Sequence, residues 1–371
     1  MPDARPLRPA AGRGPIFIIG AQGSGTTLLR LMLDSHPNIA IPQETGFMRA
    51  YNAHQFIPFK WSGRNWAKRM GWSREELDQE LAAFYQRIFM RNVERHGKQR
   101  WGDKTPLHTF HIDDMERLFP DCVFVGIVRH PAGSVASNLS RFGHSFSRAT
   151  LHYLRYGKEL ARQAAARPDR FVLVRYEDLV LQPERALREL LDWLGEPWSD
   201  QVLAHHEVQT GRGERLTVEG LNRADDPIDV SRISKWTRTL DAPTLKKVDR
   251  RLGRLGRFYG YSMTDAAALE PLRADDAPLI GGADIDARID AFPDLDLRTQ
   301  VDVPSAERFY HPGRLRVTPM PAPGAARPAP APPRPRSALR RAATPVVRRL
   351  PRRARRRVSR AARRLRALRS G

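Results

Sequence analysis

Short unbroken apolar runs alternate with longer stretches of mixed polarity along this chain. Pro15-Ile-Phe-Ile-Ile19, Cys122-Val-Phe-Val-Gly-Ile-Val128 and Phe171 to Arg175 read as strands, the second of them buried. Ile39-Ala-Ile41 is a shorter strand candidate, and Trp101 to Pro106 reads as a loop. Helices are expected at Leu28 to Leu33, His111 to Phe119, Pro131 to about Arg141, Thr150 to Arg167, Glu184 to Leu194 (closed by Gly195) and Leu240 to Leu255. Phe47 to Lys98 is mostly helical and rich in aromatics, with Ser73-Arg-Glu-Glu76 as a capping box; it is read as a cover over the substrate side. Trp61, Trp66, Trp72, Phe84, Tyr85 and Phe89 in that stretch are expected to be core residues. Strands alternating with helices predict an α/β fold, a parallel sheet flanked by helices. Ala204 to Ile233 reads as a long irregular segment, functional or disordered. Asp265 to Pro304 is acidic and weakly periodic and receives no element.

Composition changes this picture mainly at the C-terminus. The chain has 371 residues, is 41% hydrophobic and carries a formal charge of +22. After Glu307 there is no acid and about twenty arginines, which leaves the preceding residues near neutrality. The charge therefore describes a tail and not a nucleic-acid-binding body, and nothing in the body resembles a base-reading module. The expected organisation is a leader (1–14), a single domain (15–262), an extension of unassigned fold (263–318) and a disordered Pro/Ala- and Arg-rich tail (319–371). Such a tail suits an anionic membrane surface or another polyanion. Cys122 is the single cysteine, so a disulfide framework and a cysteine-based zinc site are excluded. With no apolar leader and no run of about 18 apolar residues, the expected location is cytoplasmic, with room for attachment at the inner face of the membrane.

The first strand feeds Gly20-Ala-Gln-Gly-Ser-Gly-Thr-Thr27 and then a helix. Glycines let successive N–H groups converge, and a helix N-terminus favours anions. The spacing mimics a Walker A loop, but Thr26 stands where a nucleotide triphosphatase keeps lysine. A second anion site is expected where Arg129 ends a strand and Ser137 follows two turns along the next helix.

These motifs, with Arg175-Tyr-Glu-Asp-Leu-Val180, together resemble the PAPS-dependent sulfotransferases, PAPS being 3′-phosphoadenosine 5′-phosphosulfate. Gly25 to Pro37 followed by Glu44-Thr45 is especially similar to tyrosylprotein sulfotransferases and their bacterial relatives, and the resemblance covers Pro15 to Tyr261. It implies a P-loop-like sulfotransferase domain using PAPS as co-substrate without a metal. Gln22, Gly23, Ser24, Gly25, Thr26 and Thr27 would cradle the 5′-phosphosulfate. Arg129 and Ser137 would bind the 3′-phosphate, with Tyr176 contacting the nucleotide and Lys235 closing over the 3′ side. Glu44 would be the general base and Lys104 the stabiliser of the transferring group. The acceptor, a hydroxyl or amine of a small molecule, glycan or peptide, is not legible. One position departs from the pattern: Gly23 stands where the family usually has Lys or Arg. Two alternatives stay open at this point, a P-loop small-molecule kinase and a non-catalytic nucleotide-binding adapter with a polyanion-binding tail.

Overall fold

A computed structural model describes residues 13–60, 66–211, 226–263, 279–299 and 301. The leader up to residue 12, residues 61–65 with Trp61, residues 212–225, 264–278 and 300, and everything from residue 302, the tail (319–371) included, lie outside the described residues.

The expected strands form: β1 (Ile16–Gly20), β2 (Ile39–Ala40), β4 (Val123–Val128) and β5 (Phe171–Arg175). They are joined by β3 (Arg100–Lys104) and β6 (Leu279–Gly281) in one sheet of order β2-β3-β1-β4-β5-β6. All pairings are parallel except β5 with β6, which is antiparallel at the edge. The unbroken apolar runs follow from burial on both faces. Phe17, Ile19, Phe124, Phe171 and Leu173 enter one core, and Ile16, Ile18, Val123, Val125, Val172 and Val174 enter the other. Cys122 is fully buried in the first core, and burial pushes its thiol up to about 12.

Helices cover both faces. In chain order they are α1 (Thr26–Asp34), α2 (Phe47–Lys60), α3 (Trp66–Arg69), α4 (Arg74–Arg95), α5 (Ile112–Leu118), α6 (Pro131–Phe142) and α7 (Phe146–Ala166). There follow α8 (Tyr176–Leu181), α9 (Pro183–Leu194), α10 (His205–Gly211), α11 (Ser231–Thr239), α12 (Ala242–Phe258) and α13 (Gly282–Ala291). The capping box forms: Ser73 N–H donates to Glu76 at 2.8 Å and Glu76 N–H to Ser73 Oγ at 3.1 Å. Of the aromatics on this cover, Tyr85 and Phe89 are core, whereas Trp66, Trp72 and Phe84 are exposed. No helix among the described residues is long and apolar enough to cross a membrane.

Three segments differ from expectation. Trp101 to Pro106 is not a loop: most of it is β3, inside the sheet between β2 and β1. Its Arg-Trp-Gly-Asp-Lys sequence has no apolar run, yet every residue is buried, because each charged side chain finds a distant partner. Arg100, for example, donates to the carbonyls of Gly14 and Leu194 at 2.8 Å each. The segment left without an element supplies β6 and α13, and the long irregular segment begins in α10 and ends in α11.

A candidate anion-binding active site

β1 ends at Gly20, and the chain turns through Ala21 to Gly25 before α1 begins. Gly23 and Gly25 have φ of +83° and +103°, the left-handed region that side chains with a Cβ disfavour. Three side chains pin the loop from outside. Thr109 Oγ1 accepts from Gly20 N–H (3.1 Å), His152 Nε2 from Gln22 N–H (3.2 Å), and Asn138 Nδ2 donates to the Gln22 carbonyl (2.9 Å). Burial and the nearby His144 and Arg148 depress the His152 pKa to about 4, which keeps that nitrogen an acceptor.

A cavity of about 1290 Å³ opens over the loop. Gln22, Gly23, Gly25, Thr26, Thr27, Glu44, Lys104, Arg129, Ser137, Tyr176 and Lys235 all line it, so the fold gathers eleven of the twelve residues singled out from the sequence. Ser24 is the exception. Its Oγ turns back to donate to the Ala21 carbonyl at 2.7 Å and closes the loop upon itself.

On one side stands Lys104, the last residue of β3. Its Nζ donates to Thr27 Oγ1 at 3.4 Å and to the Glu44 carboxylate. The ammonium group is buried and the Glu44 side chain is 49% exposed, so the pair spans the cavity wall and its open space. Burial lowers the Lys104 pKa; the Glu44 charge opposes the shift and Arg30 adds to it.

On the other side, Arg129 follows β4. Its guanidinium lies over the Tyr176 ring at 4.3 Å and donates to the carbonyls of Gly23 (3.1 Å) and Arg232 (2.8 Å). Tyr153 Oη holds the Arg129 carbonyl at 2.9 Å. Arg129 thus ties the glycine loop to α11, and its Nε, like the indole N–H of Trp236, has no hydrogen-bond partner among the described residues. Ser137, on α6, lies directly against Gly23.

Sequence reasoning missed Arg30, Arg141, Arg232 and Arg238 on this wall. Arg141 was within reach: Gly133, Ser137 and Arg141 recur every four residues along α6 and all face the cavity. Burial lowers its pKa, and Arg232 and Arg129 reinforce the effect. Arg232 reaches the site only through the tertiary path of α11. Among the described residues, seven basic and three acidic side chains line the cavity, and Asp226 and Asp229 pair with Arg232 at 3.3 and 2.9 Å. Converging backbone donors, unpaired side-chain donors and an excess of cations suit a polyanionic ligand. Glu44 adds a carboxylate able to accept a proton at its edge. No three His, Cys, Asp or Glu side chains among the described residues are grouped to hold a metal.

Residues 15–200, half of the chain, match the family model for the Sulfotransferase family. Protein-tyrosine sulfotransferase 1 of Danio rerio is 33% identical over 236 residues, covering 60% of this chain and 65% of that protein. The protein-tyrosine sulfotransferase of Drosophila melanogaster is 31% identical over 238 residues, covering 60% of this chain and 46% of that one. The chain therefore spans less than two thirds of the length of these relatives. Among solved structures, the sulfotransferase domain of the Synechococcus PCC 7002 olefin synthase aligns with a TM-score of 0.49 at 20% identity, over 69% of this chain and 98% of that chain. With a family match over half its length, the chain belongs to the sulfotransferase family.

Proposed function

We propose that this protein transfers a sulfuryl group from PAPS to a hydroxyl acceptor by in-line displacement. The observation that carries the reading is Lys104, whose ammonium group touches both Thr27 of the glycine loop and the carboxylate of Glu44. One cation thus sits between an anion cradle and a half-exposed base. The cavity exceeds the roughly 300–1,000 Å³ of common ligand sites, which leaves room for a nucleotide and an acceptor together.

The residues present fit the nucleotide. The loop N–H groups and the start of α1 would hold the 5′-phosphosulfate, and Arg129, Ser137, Arg141 and Lys235 the 3′-phosphate, with Tyr176 beside the nucleotide. Glu44 would accept the proton of the acceptor hydroxyl while the acceptor oxygen bonds to sulfur and the bond from sulfur to the 5′-phosphate oxygen breaks. Lys104 and the loop N–H groups would neutralise the charge growing on that leaving oxygen. The products are a sulfate ester and adenosine 3′,5′-bisphosphate. A sulfuryl group carries less negative charge than a phosphoryl group, and the chain's own cations meet that demand. Thr26 at the Walker lysine position argues against a kinase. Lys104 supplies a cation at the loop even though Gly23 supplies none, which argues against a vestigial site. The names of the relatives make a tyrosyl hydroxyl the first acceptor to try. A cytoplasmic location, with the arginine tail on an anionic surface, is part of the same proposal.

Calorimetry without divalent metal tests the donor site. Adenosine 3′,5′-bisphosphate is expected to bind at least about tenfold more tightly than AMP, since the second phosphate gains charge-assisted hydrogen bonds. Equal affinities, or binding of Mg²⁺-ATP alone, would sink the reading. Turnover of PAPS with a tyrosine-containing peptide then tests the transfer.

A further inference from the structure

Two successive residues of β3 meet two successive residues of the segment that enters α2. Successive strand residues face opposite ways. Lys104 faces the cavity and pairs with Glu44, while Asp103 faces the interior and accepts a hydrogen bond from Thr45 Oγ1 at 2.5 Å. Asp103 Oδ2 also lies 2.9 Å from His108 Nδ1, and His108 Nε2 accepts from Met48 N–H at 3.4 Å. Thr105 Oγ1 accepts from Gly46 N–H (3.2 Å), and Thr45 Oγ1 from Phe47 N–H (3.3 Å). The Phe47 ring meets the His108 ring edge-on at 4.9 Å. The backbone N–H groups of Gly46, Phe47 and Met48, which a helix start leaves without helical partners, all end on this cluster.

Asp103 is fully buried and His108 is 1% exposed. A buried carboxylate adds little net stability over an apolar replacement. Its presence calls for another reason, and geometry provides one. Glu44 is half-exposed, and its ion pair with Lys104 cannot alone hold a flexible side chain in a single place. The residue after it is anchored at 2.5 Å to a fully buried carboxylate. We propose that Asp103, acting through Thr45 and with His108, is a positioning residue that sets Glu44 in register with Lys104. The inference rests on reading Glu44 as the acceptor base.

The test uses Thr45→Val, which deletes the hydroxyl at nearly constant volume, and Thr45→Ser, which keeps it. With PAPS and a tyrosine-containing peptide, Thr45→Val is expected to lower kcat by about 10- to 100-fold while KM for PAPS and the Kd of adenosine 3′,5′-bisphosphate stay within about twofold. Thr45→Ser is expected to restore kcat. An unchanged kcat in Thr45→Val, an equal loss of nucleotide affinity, or no rescue by serine would overturn the proposal. If Thr45→Val does not fold, Asp103→Asn is read by the same split. A second readout needs no turnover. The ¹³C carboxylate resonance of Glu44 should shift in Thr45→Val and return in Thr45→Ser, and an unmoved resonance would also overturn the proposal. Should the wild type bind the bisphosphate but transfer nothing, while this resonance behaves as expected, the positioning stands and the transfer reading falls.

Discussion

Gly25 lies flush against Tyr176: a Cβ at position 25 would sit 2.3 Å from Cδ2 of that ring. The glycine is also in the left-handed region, at φ +103°. Two separate requirements, space and backbone conformation, therefore fall on one residue of the cradle. Gly25→Ala is expected to lower affinity for adenosine 3′,5′-bisphosphate at least about tenfold, the backbone strain alone costing about 1–2 kcal/mol. Measured against Tyr176→Ala alone, Gly25→Ala should still cost part of that affinity, because losing the ring relieves the clash and not the φ angle. Calorimetry on the single and double variants checks this, and the absence of that cost would show that the strain is negligible.

The Lys or Arg that the resemblance implies at position 23 does not fit there. A Cβ there would lie 2.9 Å from Ser137 Oγ and 3.1 Å from Ser137 Cβ, at a φ of +83°. Gly23→Arg is thus expected to weaken nucleotide binding and not to strengthen it. Tighter binding by Gly23→Arg would mean that the loop readily adopts another shape.

Glu44 reaches the cavity at its edge, whereas the proposed nucleotide contacts lie on the loop and α6. Glu44→Gln is expected to cut kcat by about 10²- to 10⁴-fold, the usual worth of a positioned base, with little change in bisphosphate affinity. A comparable drop in affinity would contradict the role proposed for it.

Arg129 has two expected tasks, holding a 3′-phosphate and bracing the carbonyls of Gly23 and Arg232. Arg129→Ala should weaken adenosine 3′,5′-bisphosphate more than AMP, by at least about tenfold, since a charge-assisted pair is worth more than a neutral hydrogen bond. Equal weakening of both ligands would leave only the brace.

The acid limb of stability should carry a mark of His152. Its folded pKa, about 4, lies below the ordinary value of 6.5 through burial, His144 and Arg148. Between those values the unfolded chain takes up a proton that the folded chain refuses. The stabilising contribution is complete above pH 6.5 and is lost as pH falls toward 4, by at most about 3 kcal/mol. A protonated Nε2 would also cease to accept from Gln22 N–H, so nucleotide affinity should fall over the same window. His152→Gln, which does not titrate, is expected to flatten both profiles in urea melts and calorimetry. Superimposable acid limbs for the two proteins would show that His152 is not held neutral.

The sequence by itself determined the α/β class, four of the six strands, and the candidate residues from Gln22 to Thr27 and at Arg129. The reason is local. A strand buried on both faces must be apolar throughout, and a cradle of backbone N–H groups needs glycines at left-handed positions. Arg129 was legible because it ends one such apolar run. Only the tertiary structure decided that Arg100 to Lys104 is a strand, that β6 closes the sheet edge, and that Arg232 joins the site. β3 is stabilised by partners far along the chain: Thr45 for Asp103, Glu44 for Lys104, and the Gly14 and Leu194 carbonyls for Arg100. Pairing of buried polar groups across such separations leaves no period in the local sequence, so the strand that aligns the proposed base with its lysine became visible only in the folded sheet.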